Sequence, residues 1–416
     1  MVLSARAKVV ATVIFFMVVL SGCAWAATEL IAPFSDVRWK DGNVWSLGNT
    51  VTAGTYRPED IKTFWYNNYT VFEGSEVLAK SILEAGKNPG LGVRSLHARG
   101  ITGKNVRVAI IDQPTIGEHS EYKEKIIDYY NTTAEGVYEM HGPAVASLLV
   151  GEECGTAPGA KLYYAALASW HLDAGYYADA LHWIISKNAE LPADDKIRVV
   201  SVSAIPSGPG TPYTKNTEQW DAAVAEAQAA GILVLDCQQS AETGITEVGY
   251  YDLNNPDDLS GFTTGSPKYD YPSNKNVIHA PAGCRTQAQE QESDRNYWQY
   301  TGDGGISWTI PYVAGVLAMG WQVNPSLSND EIVEVLWKTA YVTTDGGHVI
   351  NPVAFIKEIE NPTPDDPTPT EPDPVEPTEP TNPSEDSSSG GGGCNSAGFI
   401  PFVLVIASLL LLKKEA

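Results

Sequence analysis

Apolar and polar positions along the middle of the chain follow two spacings. Short apolar runs at 106–111, 161–167, 197–203 and 232–235 have the length and β-branched content of buried strands. Segments with helical spacing lie between them. His141–Val150 is a run of small apolar residues behind a histidine, 178–186 carries Leu181, Ile184 and Ile185, and 220–230 is rich in alanine. Strands alternating with helices predict an α/β fold with a mostly parallel central sheet flanked by helices on both faces. Upstream, 75–85 reads as an amphipathic helix with Val77, Leu78, Ile82 and Leu83 on one face, stopped by Gly86 and Pro89. Downstream, Ser328, Asn329, Asp330 and Glu331 form a capping box that opens a helix over 332–338.

Both ends break this pattern. Residues 1–26 read as a signal peptide: Arg6 and Lys8 precede an apolar run over 9–20, too short for a comfortable membrane span. Ala24-Trp25-Ala26 is a small-x-small cleavage site. Leu20-Ser21-Gly22-Cys23 offers a competing, lipobox-like ending that would place a lipid on Cys23. Residues 27–90 form an N-terminal extension or pro-region, with frequent Trp and Tyr but no catalytic signal. The strand–helix pattern occupies 91–358. Residues 359–389 are proline, threonine and acid without a single Lys or Arg, a composition that stays extended and acts as a linker. In 390–416 a glycine run leads to Cys394, an apolar segment over 399–412, and the basic pair Lys413 and Lys414. That basic end resembles a cytoplasmic stop and implies a membrane contact through the C-terminal segment.

Charge and cysteine content narrow the function. A net charge of −24 excludes nucleic acid as a partner, because phosphate binding needs clustered Lys and Arg. Of five cysteines, Cys23 and Cys394 fall in the end segments. Cys154, Cys237 and Cys284 match no zinc spacing; three thiols are expected, with one bridge among them as the alternative. No metal site is read from the sequence. The acidic stretch 252–258 is the best calcium candidate, and a solvated loop explains it more simply.

The candidate chemistry lies in three stretches. Gly304 and Gly305 deliver the chain to Ser307, which opens an apolar helical run through Pro311, Gly315 and Met319. At a helix start, unpaired backbone N–H groups favour developing negative charge near the hydroxyl. The strand at 106–111 runs into Asp112, and His141 leads its own helix. A neutral serine is a poor nucleophile unless a base takes its proton and a carboxylate orients that base. The order Asp112, His141, Ser307 supplies all three groups.

These stretches resemble the catalytic blocks of subtilisin-like serine peptidases. That family carries an apolar strand ending in Asp, then His-Gly-Thr-His-Val-Ala-Gly, then Gly-Thr-Ser-Met-Ala-x-Pro-x-Val-Ala-Gly. Gly155-Thr156-Ala157-Pro158, Ala280-Pro281-Ala282-Gly283 and Gly100-Ile101-Thr102-Gly103 resemble its supporting segments. The resemblance implies a subtilisin-like three-layer fold and an endopeptidase. In it Asp112 orients His141, His141 is the base, and Ser307 forms an acyl-enzyme with a peptide or protein substrate. It implies substrate contacts at Ser203, Ala204 and Ile205. No cofactor is required, although structural calcium is common in the family. The C-terminal segment resembles bacterial sorting signals of the Gly-Gly-Gly-Gly-Cys-Asn type (Synerg-CTERM-like). That implies export, sorting machinery as a partner, and a place in the cell envelope or at the cell surface.

The chain departs from the family pattern at three places. Pro143 and Ala144 follow His141-Gly142, Trp308 follows Ser307, and the oxyanion asparagine is missing. Counting along the strand after Gly231 puts Ser240 in its place, with Gln239 or Gln238 after a small shift. The missing asparagine supports an alternative function, a catalytically weak or inactive member displayed as a surface binding module.

Overall fold

The computed structural model describes residues 29–39, 47–136, 138–238, 244–245, 247–265, 268 and 276–363. The signal peptide, residues 364–389 of the linker, the sorting segment, Gln239 and Ser240 lie outside the described residues, whereas Ile359 and Glu360, expected in the extended linker, complete the last helix. From the amino end, β1 (Trp65–Asn67) and α1 (Glu76–Ala85) come first. Then follow β2 (Arg107–Asp112), β3 (Ile126–Asn131), α2 (His141–Val150) and β4 (Lys161–Ala166). Next are α3 (Gly175–Glu190), β5 (Ile197–Val202), α4 (Thr217–Ala229) and β6 (Leu233–Asp236). After β7 (Glu247–Tyr250) and β8 (Ile278–Pro281) comes the hairpin of β9 (Arg285–Gln289) and β10 (Tyr297–Thr301). Helices α5 (Ile306–Val323), α6 (Asn329–Lys338) and α7 (Pro352–Glu360) end the described chain.

The central sheet has the order β3-β4-β2-β5-β6, and every pairing in it is parallel. Parallel strands need crossovers, and the helices that supply them cover both faces. Helices α3 and α4 bury Leu181, Ile184, Trp220 and Ala223 against one face. Helices α2 and α5 bury Val145, Leu148, Val313 and Leu317 against the other. The result is three layers, with Val108, Ala109, Ile110 and Ile111 of β2 fully buried in the middle. The register aligns Asp112 with Ala166, Ile111 with Val202, and Val202 with Asp236. Strand ends therefore line one edge of the sheet, the usual place for ligands in such folds.

The expected strands and helices are present, with ends shifted by a few residues. One expectation is corrected. In α1 the buried face is Ala79, Ile82 and Leu83, while Val77 is 84% exposed and Leu78 is 39% exposed. Positions 79, 82 and 83 fall on one side at 3.6 residues per turn, and Val77 points away. The capping box is formed: Ser328 Oγ accepts from the Glu331 N–H, and the Glu331 carboxylate accepts from the Ser328 N–H.

A second, three-stranded antiparallel sheet has the order β9-β10-β1. It brings the N-terminal segment onto the hairpin that leads to Ser307. Cys154 and Cys237 are buried thiols and Cys284 a half-buried one, with no bridge between them. Burial pushes all three thiols up, away from reactive thiolate. Among the described residues no helix is long and apolar enough to cross a membrane.

Candidate active site

Asp112 is the last residue of β2, 5% exposed, with its carboxylate at the carboxyl edge of the sheet. His141 is the first residue of α2. The His141 Nδ1 lies 2.7 Å from Asp112 Oδ1, and the Gln113 backbone N–H donates to the same oxygen at 2.8 Å. An ionised carboxylate only accepts, so the proton sits on Nδ1 and Nε2 is left as the acceptor. Burial lowers the basicity of His141, while the Asp112 charge and hydrogen bond raise it. The net position is above the ordinary histidine value.

The residues after His141 explain one departure from the family pattern. A side chain at Gly142 would come within 2.2 Å of the Gln113 carbonyl oxygen and 2.5 Å of the Tyr164 hydroxyl. Only glycine fits there. Pro143 is the third residue of the helix, where a backbone N–H would have no intrahelical acceptor, so proline costs no bond.

Ser307 is the second residue of α5, behind Gly305. Its own N–H lies in the first turn, among the donors that a helix leaves unpaired. Pro311 sits inside the helix four residues on, and it removes the N–H that would otherwise bond the Ser307 carbonyl. The Ser203 hydroxyl replaces that donor, at 2.8 Å from the Ser307 carbonyl oxygen. The Ser307 hydroxyl donates to the Ser203 carbonyl at 3.4 Å, a long and weak bond. Ser203 is thus bound to Ser307 in both directions, just beyond the end of β5.

Trp308 forms a wall of the site. Its ring centroid lies 5.2 Å from that of His141, and its Nε1 donates to Thr301 Oγ1 at 3.2 Å. The other expected substrate residues follow Ser203 in the loop after β5. The Ala204 carbonyl accepts from the Cys237 N–H at 2.9 Å, and the Ile205 carbonyl accepts from Thr211 Oγ1 at 2.7 Å. Gln238, at the end of the described stretch after β6, packs beneath Gly208. The oxyanion candidates Gln239 and Ser240 fall in the stretch outside the described residues.

Residues 103–355 match the model of the subtilase family, Peptidase S8. The chain belongs to the subtilase family. It is 28% identical over 301 residues to the serine protease AprX of Bacillus subtilis, covering 61% of this chain and 67% of that one. Among solved structures it is similar to fervidolysin from Fervidobacterium pennivorans, a keratinolytic enzyme related to subtilisin. There the identity is 17% and the TM-score 0.49, over 68% of this chain and 46% of that one. A protease from Pseudoalteromonas arctica matches at 17% identity and TM-score 0.46, over 65% of this chain and 94% of that one. This subtilase therefore spans less than half the length of fervidolysin.

The fold is subtilisin-like, and the chain is a subtilisin-like serine peptidase by family. The family region begins at residue 103, so β1 and α1 precede it.

Two features of this subtilase site escaped the sequence. Glu290, just after β9, is 2% exposed. Its carboxylate accepts from the Thr115 hydroxyl and from the N–H groups of Ile116, Glu118 and His119 at 2.6–3.0 Å. It thereby fixes the loop that follows Asp112. Partners so distant in sequence leave no local signal. Asp303 is the second feature, bound to Trp65 and Lys268. The acidic stretch 252–258 is a set of turns: Asp252 Oδ1 accepts from Asn254, and Asp258 Oδ1 from Ser260. Among the described residues no three His, Cys, Asp or Glu side chains are grouped to hold a metal ion.

Proposed function

We propose that this subtilase is an exported serine endopeptidase, fixed to the cell envelope by its C-terminal segment, that cleaves peptide bonds with Asp112, His141 and Ser307. The observation that carries this reading is the 2.7 Å bond between His141 and Asp112, with Ser307 on the helix whose Trp308 packs against the imidazole. Ser307 Oγ attacks the scissile carbonyl carbon and His141 Nε2 takes its proton. The resulting oxyanion accepts from the Ser307 N–H. His141 then protonates the leaving amine, and the acyl-enzyme remains. Water, deprotonated by His141, releases the carboxylate product and frees Ser307.

The long Ser307–Ser203 bond suits this cycle. A substrate N–H that takes the Ser203 carbonyl displaces the Ser307 hydroxyl and returns it toward His141. Ser203, Ala204 and Ile205 then line the edge along which an extended substrate adds as a strand. Gln239 or Ser240 supplies the second oxyanion donor. Export and anchoring rest on the sequence features of 1–26 and 390–416, and the acidic linker holds the enzyme away from its surface.

The second reading, a weak or inactive binding module, rests on the missing oxyanion asparagine. Removing such a donor costs roughly 10²–10³ in rate. A fluorophosphonate probe separates the two readings. Labelling of the full chain but not of Ser307→Ala supports the peptidase. A folded, processed wild type that takes no label overturns it.

A further inference from the structure

The family region starts at residue 103, yet the segment before it is built into the catalytic unit. Strand β1 pairs antiparallel with β10, setting Trp65 opposite Thr301, Tyr66 opposite Tyr300, and Asn67 opposite Gln299. The Gly302 N–H donates to the Phe64 carbonyl at 3.2 Å. A side chain at Gly302 would come within 2.2 Å of the Thr63 carbonyl oxygen, so the two backbones touch. The Tyr300 hydroxyl bonds the Lys62 carbonyl at 2.7 Å, and Thr286 Oγ1 bonds the Leu83 carbonyl at 2.6 Å. Ile61, Phe64, Tyr66 and Phe72 form a core with Tyr300 and are at most 1% exposed.

This layer converges on Asp303, four residues before Ser307 and 5% exposed. The Trp65 indole N–H donates to Asp303 Oδ1, and Lys268 Nζ lies 2.7 Å from Oδ2. The Tyr250 hydroxyl donates to the Asp303 carbonyl. Gly304 follows at φ +57°, with the Ala282 carbonyl against it. The chain from Asp303 to Ser307 is therefore held at one end by a residue outside the family region.

We propose that Trp65, Asp303 and Lys268 are positioning residues for Ser307, and that residues 29–90 stay in the mature enzyme rather than leaving as a pro-region. The positioning role rests on the reading of Ser307 as the nucleophile; the retention does not. Loss of the segment would strip β10 of its neighbour strand and expose Tyr300, which is buried in the core that the segment carries. A clamp on the serine loop acts on the reacting geometry, where displacements near 1 Å cost about 10²-fold.

The test uses the full chain. N-terminal sequencing of the active, processed protein is expected to find a start before Asp36. An active enzyme that starts after Lys87 overturns the proposal. Trp65→Phe, which keeps an aromatic ring and loses the indole N–H, and Asp303→Ala, which removes the acceptor of both Trp65 and Lys268, are each expected to lower kcat and the fluorophosphonate rate about tenfold or more. KM should stay within about twofold and the melting temperature within a few degrees. The double variant should fall little further than Asp303→Ala alone, because without the carboxylate the Trp65 N–H has no contact left to lose. Wild-type rates in the singles, or losses that multiply, overturn the clamp. A wild type that takes no label overturns the peptidase reading instead, and the N-terminus still decides retention.

Discussion

Replacing Asp112 by asparagine separates two contributions that are usually lost together. Two donors converge on Asp112 Oδ1, the Gln113 N–H at 2.8 Å and the His141 Nδ1–H at 2.7 Å. An asparagine amide has one oxygen and one NH2. Turning the NH2 toward two N–H donors would be repulsive, so the oxygen keeps the Oδ1 position. His141 then keeps its tautomer, and Nε2 can still accept the Ser307 proton. What disappears is the negative charge beside the imidazolium. At an effective dielectric of about 20, charge centres about 4 Å apart attract by roughly 4 kcal/mol. That corresponds to about 10³-fold in rate at ~1.36 kcal/mol per tenfold. Where such a substitution flips the tautomer, the loss is about 10⁴-fold. Asp112→Ala, which removes the orienting bond as well, should reach that larger figure here.

The pH profile supplies the second signature. Only neutral imidazole takes the serine proton, so kcat/KM rises with pH through the folded His141 value. In the wild type Asp112 holds that value above the ordinary histidine range, against the opposing effect of burial. In Asp112→Asn only burial remains, and the rising limb moves to lower pH. Stability carries the same sign. In the wild type the His141 contribution is fully present below the ordinary histidine value and is lost as pH rises through the raised folded value. The assay is kcat/KM on a peptide substrate across pH for wild type, Asp112→Asn and Asp112→Ala. An asparagine variant as damaged as the alanine variant, with an unmoved limb, would refute the argument.

Two further substitutions test the supports of the site. Gly304→Ala places a Cβ 2.0 Å from the Ala282 carbonyl oxygen at φ +57°, so the serine loop must move; fluorophosphonate labelling should fall at least about 10²-fold while the far-ultraviolet dichroism stays unchanged. Glu290→Gln turns an amide NH2 toward two donors that the carboxylate now accepts, and charge-assisted bonds of ~1.5–3 kcal/mol each are at stake. A drop of about 3 kcal/mol in urea unfolding is expected, with a fall in kcat as the loop after Asp112 loosens; unchanged urea stability would refute that role.

How legible the chain is depends on whether a residue's neighbours are local or distant. The runs that became β2, β4, β5 and β6 are apolar because both faces of a parallel sheet are covered, and that burial is written in consecutive residues. Edge strand β3 was not anticipated, since Ile127, Tyr129 and Tyr130 are exposed and its pattern mixes charge with aromatics. Strand β9 was missed for the opposite reason. Its sequence, Arg285-Thr286-Gln287-Ala288-Gln289, is polar, yet every residue is buried. Three of its side chains find distant partners: Arg285 donates to the Cys154 carbonyl, Thr286 to Leu83, and Gln289 to Met140.

The site divides along the same line. Asp112 ends a strand, His141 begins a helix and Ser307 lies in the first turn of another, and local sequence sets each element's position. For that reason the Asp112–His141 contact was readable before the fold was known. Glu290 and Trp65 hold those positions from other parts of the chain, through partners 171 to 238 residues away, and Asp303 relays the Trp65 contact to the serine loop. Their residue types carry no local pattern. Trp308 lies between the two cases: it stands out in the serine stretch, but only the fold brings its ring against His141 and its indole N–H to Thr301. Trp308 stands where the family pattern has methionine, and its larger, N–H-bearing ring needs a hairpin that can receive it. Here that hairpin is held by β1 and α1, outside the family region, so the seat of the Trp308 indole rests on the N-terminal layer.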